Sequence, residues 1–219
     1  MNVTLSANTR GCATLGVLRL DGLTVGRRNE ALYGECQITA RAAREKFRVR
    51  QMQNAPELAP ARELFKKLHI DPTHHRPSSE SLLRRVVKGT ILNSINTVVD
   101  INNQISLETS LPMGVYDAAK IQGDVEFRLG RAGEGYEEIS HDISNLEDKP
   151  VLSDGTGPFG SPIVDSARTM ITTDTKSILL VVYVPKSHPV KQLEAALARV
   201  GQRLMQYNGG AAVESKVVT

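Results

Sequence analysis

The run Ser177 to Val184, SILLVVYV, is apolar at odd and even positions alike. A strand sends alternate side chains to opposite faces, so this one needs cover on both sides and belongs in the middle of a sheet. A chain built around such a strand must supply at least two further layers. With 219 residues, 40% of them hydrophobic, it has enough material to bury a sizeable core. Residues 1–219 are read as one domain. The same run is the longest apolar stretch and is far too short to span a bilayer. The start, MNVTLSANTR, has no apolar core of the kind a signal peptide carries. The expectation is a cytoplasmic protein with no membrane partner. Cys12 and Cys36 are the only cysteines, which makes neither a disulfide framework nor a metal site, and both should stay reduced and packed.

Taken in order, residues 3–8 and 13–25 read as strands through Val3, Leu5, Leu15, Val17, Leu18, Leu20, Leu23 and Val25. They break at Asn8–Gly11 and turn at Asp21-Gly22, a type I′ hairpin signal. A helix follows from about Asn29 to Arg50, with Leu32, Cys36, Ala40, Ala43 and Phe47 as its apolar stripe. Pro56 breaks it. Pro60 to Leu68 is a short amphipathic helix with Leu64, Phe65 and Leu68 inward. His69, His74 and His75 then lie in a proline-bearing loop with no carboxylate at ligand spacing, so no metal is assigned there.

Ser78 after Pro77 caps a third helix, with Glu80 in the first turn where the dipole favours an anion. Leu82, Leu83, Val86 and Val87 form one face of it and Arg84, Arg85 and Lys88 the other. Gly89 ends it. Val98, Ile101 and Ile105 return at helical spacing until Pro112. Val125, Phe127 and Leu129 alternate as a half-buried strand. The helix Val98–Thr109 is expected to pack on a sheet holding both Val125–Leu129 and Ile178–Val184.

Tyr136 to Ile139 reads as a strand paired through the turn Gly133-Glu134-Gly135, residues 144–149 as a loop, and Val151 to Asp154 as a short strand. Ala167 to Thr172 reads as another strand. Ser187 caps the last helix, with Pro189 in its first turn and Leu193, Leu197, Val200 and Leu204 inward. Gly209-Gly210 ends it, and residues 211–218 form an edge strand or a loose tail. The pattern is α+β.

Gly155 to Pro162, GTGPFGSP, is rich in glycine and proline. No Gly-Lys-Ser/Thr follows, so it is not a phosphate-binding loop of that kind, and it is no dinucleotide fingerprint. Two readings remain: a loop crossing the core, or a pocket wall whose backbone amides approach a ligand. No cofactor is implied.

Net charge is +3 and the isoelectric point about 8.9, which permits a nucleic-acid partner without demanding one. Arg41, Arg44, Lys46, Arg48 and Arg50 share one helical segment, and Arg84, Arg85 and Lys88 another. Either these are solvated faces or they contact phosphate. Aromatics make up 4% and tryptophan is absent, which argues against a single-strand binder that works by base stacking. An RNA partner would be held mainly through phosphates.

The run NTVVDINNQISLETSLPMGVYDAAKIQGDVEFRLGRAGE resembles the B3/B4 domain of the β subunit of bacterial phenylalanyl-tRNA synthetase. In that family a helix carrying Asp-x-Thr-Asn and a later Glu leads into Pro-Met-His-Ala-Phe-Asp and a Gly-Asp-Ile strand. The matching positions are Asp100, Asn102, Asn103, Glu108, Pro112, Met113, Gly114, Val115, Tyr116 and Asp117, without a gap. The likeness covers about residues 76–185 and looks like the free-standing B3/B4 proteins. It implies a layered β-sandwich with packed helices. It also implies an editing module, which in the synthetase hydrolyses tyrosine wrongly attached to the phenylalanine tRNA. Such an ester is already activated, so the site needs a positioned water, groups that hold the amino acid, and exclusion of the correct one. The family's Thr-Asn pair becomes Asn102 and Asn103, its His becomes Gly114, and its Glu falls near Val181 and is not matched. The remaining titratable groups in the motif are Asp100, Glu108 and Asp117, each as suited to capping or bridging as to catalysis.

The resemblance implies a pocket of Asn102, Asn103, Met113, Gly114, Tyr116, Gly157, Phe159, Gly160 and Ser161, with the ends of three segments converging on one cleft. Arg41, Arg44, Arg48, Arg84, Arg85 and Lys88 are the candidate RNA contacts. Three functions stay open: a hydrolase acting on an aminoacylated tRNA, a non-catalytic RNA-binding module, and a binder of a free amino acid or similar small molecule.

Overall fold

The computed structural model describes residues 1–48 and 52–219. Arg50 and the side chain of Arg48 fall outside the described part of the chain. Strand β9 (Ser177–Pro185) is central, in a sheet ordered β10 (Ala211–Val218), β2 (Ala13–Asp21), β9, β3 (Met113–Asp117), all antiparallel. Facing it is a second sheet ordered β1 (Val3–Leu5), β4 (Val125–Leu129), β7 (Pro150–Asp154), β8 (Gly157–Gly160). A short hairpin pairs β5 (Gly135–Glu137) with β6 (Ile143–Asn145).

The two faces of β9 explain its sequence. Ile178, Leu180, Val182 and Val184 pack under the helices. Leu179, Val181 and Tyr183 pack against the second sheet. All seven are at most 1% exposed, and each fully buried side chain of this size contributes roughly 1.5–3 kcal/mol. Helices α1 (Glu30–Arg48), α4 (Thr97–Thr109) and α5 (Val190–Asn208) form the layer outside β9. Helix α2 (Ala59–Lys67) seals the inter-sheet core through Leu64 and Phe65. Helix α3 (Ser78–Val87) joins α1 and α4 in a third cluster around Phe47, Leu58, Leu83 and Val86. The architecture is α+β, a layered β-sandwich with packed helices.

Several local expectations give way to tertiary pairing. Val125–Leu129 and Ile178–Val184 lie in facing sheets, not one, and α4 packs on the sheet of β9. Asp21-Gly22 does not turn a hairpin: β2 pairs with β9 and β10, and Leu23 and Val25 leave the sheet to pack under the helices. Tyr136 pairs forward with Ser144 rather than back through Gly133–Gly135, so part of the polar 144–149 stretch is strand. Gly157–Gly160 is a strand hairpinned to β7, its turn fixed by Asp154 Oδ1, which accepts from the amides of Thr156 (2.9 Å) and Gly157 (3.1 Å). Ala167–Thr169 is a 3-10 turn, because the Ser166 hydroxyl accepts from Arg168 N. Pro189 occupies the N-cap position of α5 and makes no side-chain cap bond, while the Ser187 hydroxyl donates to Glu63 at 2.6 Å.

Candidate functional site

Helix α4 begins where Asn96 Oδ1 accepts the amide of Val99 at 2.9 Å. Val98, Ile101 and Ile105 face the sheet. The next face presents Asn102, Asn103 and Ser106 to a cleft of about 530 Å³, within the range of about 300–1,000 Å³ usual for small-molecule sites. Asn102 is 7% exposed, and its Oδ1 is buried with no hydrogen-bond partner among the described residues. Met113 and Val115 of β3 line the same cleft, as do Arg85 of α3 and Asp165 and Ser166 of the segment after β8. The mouth carries Ile91, Ile95, Ile139 and Met170, all exposed.

Asp165 is held from behind. Its Oδ1 accepts the Tyr116 phenol at 2.8 Å and the amide of Ser161 at 3.3 Å. Tyr116 is itself 2.8 Å from the Tyr183 hydroxyl, and both rings are fully buried between the sheets. Burial raises both phenols well above their ordinary pKa, so they stay protonated and able to donate. Asp165 keeps part of its surface open to the cleft, but its carboxylate is packed round by protein. Loss of hydration pushes its pKa up to about 7, against the opposing hydrogen bonds from Tyr116 and Ser161.

The structure brings Asn102, Asn103, Met113 and Tyr116 together at this cleft. It does not bring Gly157, Phe159, Gly160 or Ser161 to its wall. Phe159 is fully buried and meets Tyr116 edge-on at 5.1 Å. Gly114 and Gly160 make room for the Tyr116 ring: a Cβ would come 1.9 Å from its Oη at Gly114 and 2.3 Å from its Cε1 at Gly160. Ser161 fastens the turn that carries Asp165, accepting from the amides of Ile163 and Val164.

The carboxylates of the motif are engaged within the protein. Asp100 closes the loop before α4, accepting from Ser94 (2.5 Å) and the amide of Ile95 (2.9 Å). Glu108 pairs with Arg199 at 2.6 Å. Asp117 accepts the amide of Ala119 and the hydroxyl of Thr175.

The basic residues divide. Arg85 and Lys88 are exposed at the end of α3, and Arg41 is exposed on α1. Arg44 donates to the Val86 carbonyl at 3.0 Å, tying α1 to α3. Arg84 is bound to Glu80 at 2.9 Å. Among the described residues no group of three or more His, Cys, Asp or Glu could hold a metal ion, and no helix is long and apolar enough to cross a membrane.

The cleft thus lies between helix α4, the edge strand β3 and the irregular segment after β8, with polar side chains on its floor. The chain belongs to the B3/4 domain family, whose pattern matches residues 60–203. It is 26% identical to the phenylalanine-tRNA ligase β subunit of Haemophilus influenzae over 82% of this chain and 22% of that subunit. The corresponding subunit of Bifidobacterium longum is 32% identical over 51% of this chain and 13% of its own length. The chain thus spans less than a quarter of the curated relatives it matches. An N-terminal fragment of the phenylalanyl-tRNA synthetase β subunit from Pyrococcus horikoshii superposes with a TM-score of 0.46 at 15% identity, covering 100% of this chain and 51% of that one.

Proposed function

We propose that this chain takes the aminoacylated 3′ end of a tRNA into the cleft and hydrolyses the ester there, an editing activity carried out in the cytoplasm. One observation carries the reading. The contiguous family stretch, through Asn102, Asn103 and Met113, supplies a wall of a cleft sized for an amino acid and its ester-linked ribose. The ester is activated, so the work left to the protein is to hold the acyl group and a water in register. The Ser78 hydroxyl and the side-chain amides of Asn102 and Asn103 line the cleft and would serve for that holding. Exposed Arg85 at the cleft and Lys88 beyond it would meet the phosphates of the tRNA end.

The test is incubation with a panel of charged tRNAs, scoring release of each amino acid. Accelerated deacylation of a subset supports the reading. Steeply salt-dependent binding without turnover would make this a non-catalytic RNA-binding module. Stabilisation by a free amino acid, with no effect of added tRNA, would make it a small-molecule binder.

A further inference from the structure

Two acceptors in the cleft lack what they need. Asn102 Oδ1 is buried without a donor among the described residues, although a buried amide oxygen is costly to leave unpaired. Asp165 makes no ion pair among the described residues, and both hydrogen bonds to its carboxylate there fall on Oδ1, leaving Oδ2 without a partner. A half-buried carboxylate that lines a cleft without a cation is the kind of group a charged ligand completes. The rest of the lining points to the remainder of that ligand. Leu82, Val99, Val115, Ile163 and Ile171 are aliphatic, and exposed Ile91, Ile95, Ile139 and Met170 extend the apolar surface to the mouth. Arg85 is the sole cation on the lining among the described residues.

We propose that Asp165 and Asn102 form the subsite for the ammonium group of an amino acid with an apolar side chain, presented as the acyl part of the ligand. An ammonium offers three donors and a full positive charge, enough to satisfy Asn102 Oδ1 and Asp165 Oδ2 together. A hydroxyl offers one donor and no charge. The apolar side chain then lies on the aliphatic wall, where no carboxylate of the described residues other than Asp165 lines the cleft to pair with a second cation. Tyr116 and Tyr183 are positioning residues: their hydrogen-bonded pair behind Asp165 fixes the carboxylate before the ligand arrives. This rests on the aminoacyl reading and adds to it the residues that recognise the amine.

The test uses two stable ligands and calorimetric titration. One is 3′-deoxyadenosine carrying leucine through a 3′-amide; the other is the same compound lacking the α-amino group. The native chain should bind the amine at least about tenfold more tightly, as hydrogen bonds to a charged partner provide. Asp165→Asn should abolish that preference and leave affinity for the deaminated compound within about twofold. Asn102→Ala should reduce the preference in part, and serves as a second reading should Asp165→Asn fold poorly. Equal binding of both ligands by the native chain overturns the ammonium subsite and leaves the aminoacyl reading standing. A preference retained in both variants also overturns it. Binding of neither ligand overturns the subsite and the aminoacyl reading together.

Discussion

The phenol of Tyr116, on β3, donates to Asp165 Oδ1 at 2.8 Å, joining the buried inter-sheet core to the cleft. The carboxylate that receives this bond has a pKa of about 7, raised chiefly by burial. In the unfolded chain it would ionise at about 4. Between those values the unfolded state has released a proton that the folded state keeps, so the folded state loses stability as pH rises from about 4 to about 7 and no further above it. Asp165→Asn removes this dependence. Its stability relative to the native chain should climb across that window and level off above it. Parallel denaturant titrations at pH 4.5, 6 and 7.5 check this, and a difference that stays flat with pH would show that Asp165 titrates normally.

Tyr116 also accounts for the glycine at the position where the family carries histidine. The ring folds back over Gly114, so a Cβ there would meet Tyr116 Oη at 1.9 Å and Cζ at 2.5 Å. The ring cannot swing away cheaply, since it is fully buried, edge-on to Phe159 and bonded to Tyr183 and Asp165. Gly114→Ala should cost about 1–3 kcal/mol as overpacking. The cost should shrink in Gly114→Ala with Tyr116→Leu when measured against Tyr116→Leu alone. A double-mutant cycle with no coupling between the two positions would mean the ring relaxes freely.

Glu80 makes the strongest case for a structural role among the charges of α3. It is 2% exposed, and it accepts from Arg62 Nε at 2.7 Å and Nη2 at 2.9 Å and from Arg84 Nε at 3.0 Å. Burial opposes its ionisation, but the two guanidinium partners outweigh that and hold its pKa below the usual value. Its contribution is therefore present above the ordinary glutamate range and fades as pH falls through the lowered one. Glu80→Ala removes the buried carboxylate that Arg62 and Arg84 share and should cost about 3–5 kcal/mol by chemical denaturation. Arg84→Ala removes the more exposed partner and should cost no more than about 1 kcal/mol. Similar losses for the two variants would mean that Arg84, not Arg62, anchors the carboxylate.

What the sequence reveals and what it hides follow one physical line. Alternation and helical spacing are local, so the central place of β9 and the inward faces of α4 and α5 are legible in Ile178–Val184, Val98–Ile105 and Leu193–Leu204. Strand partners are not local. The neighbours of β2 come from the far end of the chain, which is why the turn signal at Asp21-Gly22 points to a hairpin that does not form. At the cleft, Asn102, Asn103, Met113 and Tyr116 are visible because they lie in one continuous motif. Asp165 is not, since a lone aspartate in a Gly-, Pro- and Ser-rich stretch looks like any turn residue. Its character comes from burial and from a tyrosine 49 residues earlier. The glycines are legible as a demand for close approach, but what approaches Gly160 is the ring of Tyr116 rather than a ligand.

Basic residues on a helix become an RNA contact only where they are free to reach one. Arg84 is committed to Glu80 and Arg44 to the Val86 carbonyl, so neither is a good candidate. Arg85 and Lys88 are exposed at the end of α3, and Arg85 lines the cleft itself. A tRNA whose 3′ end enters there would bring its terminal phosphates past both side chains. Replacing Arg85 and Lys88 by Ala should weaken binding of every tRNA by a similar factor, because phosphates carry no sequence information. It should also flatten the plot of log affinity against log salt by about 0.7–0.9 for each phosphate that the variant no longer neutralises. Folding stability should change by less than about 0.5 kcal/mol, as is usual for exposed side chains. Filter binding across a series of salt concentrations, with a melting curve on the same samples, measures both. An unaltered slope in a folded double variant would return Arg85 and Lys88 to ordinary solvated surface and leave the free amino-acid binder as the better account of the cleft.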